Sequence, residues 1–186
     1  ERGALILFLD RYLGRDYKYY PSQYPDYRIE RFQRTNITPD VMETLFQARY
    51  PEDSMTNRTF LSKMLYKGKK LYFMKAMMPD RHDTAIMRYS LDDWQWCLNF
   101  EAKLWNHFVS NELLYETNTK KYSAFLKEAP FTSAGGIPPE SPPRLGAFTG
   151  WRIIQNYRNN KDEQSLPSLM NNRNHKQILT KSGYNP

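Results

Sequence analysis

The sequence has a single cysteine, three histidines and no apolar run longer than the six residues Ala4–Leu9 among its 186. Each shortage excludes something. One cysteine cannot form an intrachain bridge, and no Cys/His cluster has metal-ligand spacing, which removes zinc fingers and thiol-redox pairs. A membrane-spanning helix needs about 20 apolar residues, so six do not span. A chain of this length buries roughly 70% of its unfolded surface and closes its core without staples. There is no phosphate-cradling glycine loop, no G-x-S-x-G elbow and no His-Glu-x-x-His pair. His82, His107 and His175 share no helix face at i, i+4 spacing, and each reads as a solvated side chain. Cys97 falls on an apolar stripe and reads as a core residue.

What the chain has in quantity is aromatic rings, 15% of residues, and positive charge, 27 Lys and Arg against 20 Asp and Glu. A nucleic-acid footprint would concentrate that charge on a stripe. Here it is spread out. The one dense group, Lys63, Lys67, Lys69, Lys70 and Lys75, lies on one predicted helix and reads as its solvated face. Nucleic-acid binding is thus a minor alternative.

The order of elements is mainly helical, with little strand. Ala4–Leu9, broken at Gly14, suits a short buried strand, although periodicity alone leaves a helix open. Tyr17, Tyr19, Tyr20, Tyr24 and Tyr27 crowd an irregular covering loop with its rings packed inward. Thr38-Pro39-Asp40 starts a helix that continues through Val41, Leu45 and Ala48 to Tyr50. Phe60, Leu61, Met64, Leu65, Leu71 and Tyr72 form the stripe of a helix within 56–78, with Gly68 in its middle. A mid-helix glycine costs about 1 kcal/mol against alanine, so another backbone or a large ring should approach it closely. Ser90 caps the longest helix, which runs to about Tyr115 with Trp94, Cys97, Leu98, Trp105, Phe108 and Val109 inward.

Glu101 and Glu112 fall on that same inward stripe. Either both are wet at a groove wall, or they are buried against a cation, for which Lys75 on the preceding helix is the candidate. Residues 131–143, rich in proline and glycine, form a long surface loop. Three further helices start near Phe148, at Ser165-Leu166-Pro167 and at His175. No repeat or linker divides the chain, and residues 1–186 read as one domain, the C-terminal part of a longer precursor.

Ordered segments of the chain resemble a known family. Leu5–Gly14, Tyr66–Phe73 with Met78-Pro79, Glu101 with Leu104-Trp105, Pro130-Phe131-Thr132, Arg144-Leu145-Gly146, Gly150–Ile154 and Ile178–Tyr184 are together similar to the GldB-type gliding-motility lipoproteins of Bacteroidetes. The resemblance implies a cell-envelope protein, periplasm-facing or at the surface, attached through a lipid anchor outside this chain. That family in turn resembles zincin-type peptidases, in which one helix carries His-Glu-x-x-His and a later helix adds a carboxylate ligand. On that plan Met42 and Phe46 stand where two imidazoles belong, Lys67 stands where the carboxylate belongs, and only the general-base position, Glu43, is kept.

A dication needs imidazole or carboxylate donors at about 2.0–2.2 Å, which a thioether, a phenyl ring and an ammonium do not supply. The expectation is a degenerate zincin-like helical domain with no metal, no cofactor and no confident catalytic residue. Its vestigial cleft would gather Met42, Glu43, Phe46, Lys67, Glu101 and Trp105 and bind a partner protein, a peptide or a glycan. The alternative is a peptidase or glycosidase working through carboxylates such as Glu43 and Glu101, with Glu112 as a further candidate.

Overall fold

The computed structural model describes residues 4–53, 55, 58–128, 136–138, 140–160 and 164–186, with the backbone alone at Tyr27. Two compact units result, Glu1–Thr44 and Leu45–Pro186. The described residues contain helices and no strand.

In the first unit the run Ala4–Leu9 is neither a strand nor buried. Ile6 is 73% and Phe8 62% exposed, and a short 3-10 turn spans Leu9–Tyr12. A six-residue apolar run carries no information on which partner would bury it, and the strand expectation fails on that ambiguity. The tyrosine segment is organised around Phe32. Tyr20 and Tyr24 set their rings 5.1 and 5.7 Å from it, and Tyr17 stacks edge-on to Tyr20 at 5.1 Å. Gly14, at φ +95°, makes the turn that lets its N–H donate to the Phe32 carbonyl at 2.8 Å. Tyr12 donates its hydroxyl to Asp40 at 2.8 Å, and burial followed by that carboxylate pushes the phenol up to about 12. Helix α1 covers Asp26–Ile29, and α2 covers Ile37–Arg49 as the Thr-Pro-Asp start anticipates; the boundary of the units falls inside α2.

The second unit is built on α3, Phe60–Met77, and α7, Leu145–Asn159. Thr59 caps α3 by accepting from the Ser62 N–H. The two helices cross at glycine. A Cβ on Gly68 would lie 2.3 Å from the carbonyl carbon and oxygen of Gly150, and one on Gly150 would lie 2.0 Å from the Met64 carbonyl oxygen. The approaching group anticipated at Gly68 is therefore backbone. Around the crossing Leu61, Met64, Leu65, Phe148, Trp151 and Ile154 are almost wholly buried. Phe60 joins this core to Phe108 at 5.0 Å and to Tyr122 at 5.2 Å.

The short α4, Asp83–Met87, precedes α5, Leu91–Ser110, whose start is fixed by a reciprocal capping box between Ser90 and Asp93. α5 stops sooner than its apolar pattern suggests. Asn111 turns its backbone N–H and its side-chain amide onto the His107 carbonyl, and Glu112 follows at φ +55°. That left-handed residue turns Glu112 outward, where it is exposed. Helix α6, Thr119–Tyr122, and 3-10 turns at Leu113–Tyr115 and Ser123–Leu126 complete this side. Six of the thirteen residues of the proline-rich loop anticipated at 131–143, namely 131–135 and 139, lie outside the described residues, as does the whole Pro130-Phe131-Thr132 segment. The chain closes with α8, Leu166–Asn171, capped by Ser165, and α9, His175–Ser182, capped by Asn174.

Candidate functional site

Two of the residues singled out in the sequence meet at the side of α5. Glu101 is buried at 9% exposure and accepts from Arg152 Nε at 2.9 Å and from the Tyr184 hydroxyl at 2.8 Å. Trp105, one turn further, packs edge-on to the Tyr184 ring at 5.1 Å. Burial first, then the Glu101 charge, pushes the Tyr184 phenol far above its ordinary value. The buried-pair alternative for Glu101 is the observed one, but its partner is Arg152 and not Lys75. Lys75 instead pairs with Asp83 at 3.2 Å and donates to the Arg81 carbonyl at 2.6 Å. A carboxylate accepting from a guanidinium and a phenol is held in place, which suits it to anchoring the chain's last turn more than to proton transfer.

Arg144 plays a comparable part. It sits at φ +63° before α7, donates to the carbonyls of Met87 and Arg88, and lies 5.3 Å above the Tyr89 ring. Tyr89 donates back to the Pro143 carbonyl. Cys97 is fully buried nearby, and burial raises its thiol to about 12, so it is inert at neutral pH.

The other candidates sit on α2 and α3. Met42 and Glu43 are half-buried on the part of α2 that belongs to the first unit. Phe46 is 1% exposed in the second, in an aromatic group with Tyr50, Tyr66 and Phe73 at 5.5–5.6 Å. Lys67 is half-buried on α3. Among the described residues no three His, Cys, Asp or Glu side chains gather in a way that could hold a metal ion.

Phe46 does line a cavity of about 150 Å³, with Arg49, Tyr50, Asp53, Tyr66, Lys69, Arg173 and His175. Sequence reasoning missed most of these. Lys69 does not lie on the solvated face expected of it: it is 4% exposed. It follows Leu65 by one helical turn, so its place on the inner stripe was readable from α3 itself. Its ammonium donates to the carbonyls of Met170, at 3.4 Å, and of Asn172, closing the end of α8 where a cation is favoured. Burial, reinforced by the charge of Arg173, lowers it to about 8.

His175, expected to be solvated, is half-buried in the cavity wall; burial and the charge of Lys69 push its imidazole down to about 4, so it is neutral at pH 7. His107 is likewise half-buried, 5.7 Å from the Phe125 ring, and burial lowers its value. Arg173 pairs with Asp53 at 2.9 Å, and Arg49 lies 5.9 Å from the Tyr50 ring. Three cationic side chains thus face one carboxylate, beside an aromatic wall. Phe46, Arg49 and Tyr50 follow one another at i, i+3 and i+4, a spacing that could have flagged this wall.

The helical body has Gly68 and Gly150 at its centre and Glu101, Arg144, Arg152 and Tyr184 as its polar ties. A family model described as gliding motility protein GldB matches residues 1–186, and the chain belongs to that family. This makes it a cell-envelope lipoprotein by family. No curated protein and no solved structure matched the chain. Among the described residues no helix is long and apolar enough to cross a membrane.

Proposed function

We propose that this chain is a non-catalytic envelope component, descended from a zincin-like peptidase plan, which holds a segment of a partner polypeptide in the cavity lined by Phe46, Arg49, Tyr50, Lys69 and Arg173. The observation that carries the reading is the state of Phe46. Where the peptidase plan needs an imidazole, this ring is locked among Tyr50, Tyr66 and Phe73 and forms a cavity wall. Aromatic side chains with polar edges and arginine are the groups enriched where proteins bind one another. The ion pair of Glu101 also removes a carboxylate that a hydrolase would need free.

A photoreactive amino acid in place of Arg49 tests the reading in cells. Adducts of polypeptide mass are expected there and not from the exposed control position Asn106. Absence of such adducts, or stoichiometric zinc and peptide cleavage by the untagged protein, would overturn it.

A further inference from the structure

The cavity is described above by its walls; its charge says what chemistry it is made for. Arg49, Lys69 and Arg173 contribute three cations against the one carboxylate of Asp53, and His175 adds a neutral ring. An ammonium has three donors, and Lys69 commits two, to Met170 and Asn172. Among the described residues the third meets no acceptor. Arg49 keeps its whole guanidinium fork beside the Tyr50 ring, with no carboxylate paired to it among the described residues. Excess positive charge beside a buried amine costs free energy, and the charge of Arg173 adds to the burial that holds Lys69 below its ordinary value. An anion entering the cavity would relieve that cost.

The size and the wall narrow the class. About 150 Å³ holds roughly five waters, or a carboxylate carrying a few carbons. Phe46, Tyr50 and Tyr66 supply an apolar flank to such an anion, which a bare phosphate would leave unused.

We infer that the cavity is a carboxylate-binding subsite, in which Arg49, Lys69 and Arg173 receive the carboxylate of a peptide while Phe46, Tyr50 and Tyr66 take its apolar part. The inference rests on the polypeptide-binding reading and names the group recognised. The carboxylate comes from a chain end or from an acidic side chain. Linkage adds a signature. An anion near His175 favours its protonated form, so occupancy raises the titration midpoint of that ring, and acidification tightens binding.

The test follows the His175 imidazole by NMR in the full chain, with N-acetyl-leucine, N-acetyl-leucinamide and N-acetyl-glutamic acid α-amide as probes. Saturable shifts are expected with the two acids, with the amide at least tenfold weaker and a rise in the His175 midpoint when an acid is bound. The tighter of the two acids assigns the carboxylate to a chain end or a side chain. Arg49→Ala, at an exposed position, should weaken the acids at least fivefold while leaving the fold intact; Lys69→Met, which also removes the cap of α8, is read only beside a folding control. Equal binding of acid and amide would refute carboxylate recognition and leave the cavity a peptide site. No shift with any probe, or no effect of Arg49→Ala, would refute the subsite, whereas the polypeptide reading stands or falls on the adducts formed at position 49.

Discussion

Replacing Gly68 by alanine separates two accounts of that residue by the sign of the effect. On a free helix face the change would stabilise the protein by about 1 kcal/mol, because alanine is the better helix former. At the crossing of α3 and α7 the new Cβ would sit 2.3 Å from the Gly150 carbonyl, where ordinary contact begins near 3.4 Å. The helices must separate by roughly 1 Å, and the clash is with backbone, so no side chain can rotate away. Overpacking of this kind costs about 1–3 kcal/mol, and loosened contacts around Met64, Leu65 and Trp151 add to it. The net expectation is a loss of about 2 kcal/mol, and somewhat more for Gly150→Ala, whose Cβ would lie 2.0 Å from the Met64 oxygen. All four tryptophans, at 94, 96, 105 and 151, lie in the second unit. Urea unfolding read by their fluorescence therefore reports on that unit, and the midpoint should fall by about 1 M. The double variant should lose less than the two single losses combined, because one separation relieves both clashes. An unchanged or raised midpoint for Gly68→Ala would refute the close crossing.

Glu101→Gln should cost about 2 kcal/mol in the same assay, because it leaves Arg152 without its carboxylate, and Tyr184→Phe about 1 kcal/mol; equal stability of either variant would remove the tie. Ser90→Ala, which opens the capping box of α5, should cost about 1 kcal/mol, and no loss would mean that Asp93 alone holds the helix start. The fold should weaken on acidification. His175 titrates near 4 when folded, below its ordinary 6.5, so the unfolded chain takes up the proton first. Stability is then full above about 6.5 and is lost as pH falls towards 4, by about 1–2 kcal/mol after allowing for solvent screening of a half-exposed ring. In His175→Gln that part of the pH profile should flatten; a profile that does not change would assign the acid sensitivity elsewhere.

The sequence announces these elements unevenly. Helices α2, α3 and α5 are readable because apolar periodicity, caps and prolines agree on them, and Gly68 is readable because a lone glycine in a long stripe needs a reason. The run Ala4–Leu9 is not legible because six apolar residues fit either period and the burial that would decide between them is not encoded locally. The place of Glu101 on the inner stripe is legible, but its partner lies 51 residues on, and no local pattern names a tertiary contact. The burial of Lys69 is masked because five lysines on one helix suggest solvent, although this one follows Leu65 by a turn. Its partners are backbone carbonyls at the end of α8, and these have no sequence signature. Beyond Phe46 the cavity is largely illegible in the sequence, because it forms only where α2, α3 and the connection between α8 and α9 come together.

On the proposed function this cavity binds peptide and does not cut it. Its most direct test is to incubate the protein with a pool of short peptides, half with free and half with amidated C-termini and with acidic side chains in both halves, and to identify retained species by mass spectrometry. Intact peptides enriched in carboxylates, and lost from the Arg49→Ala variant, are the predicted result. Newly cleaved fragments, or retention indifferent to charge, would contradict it.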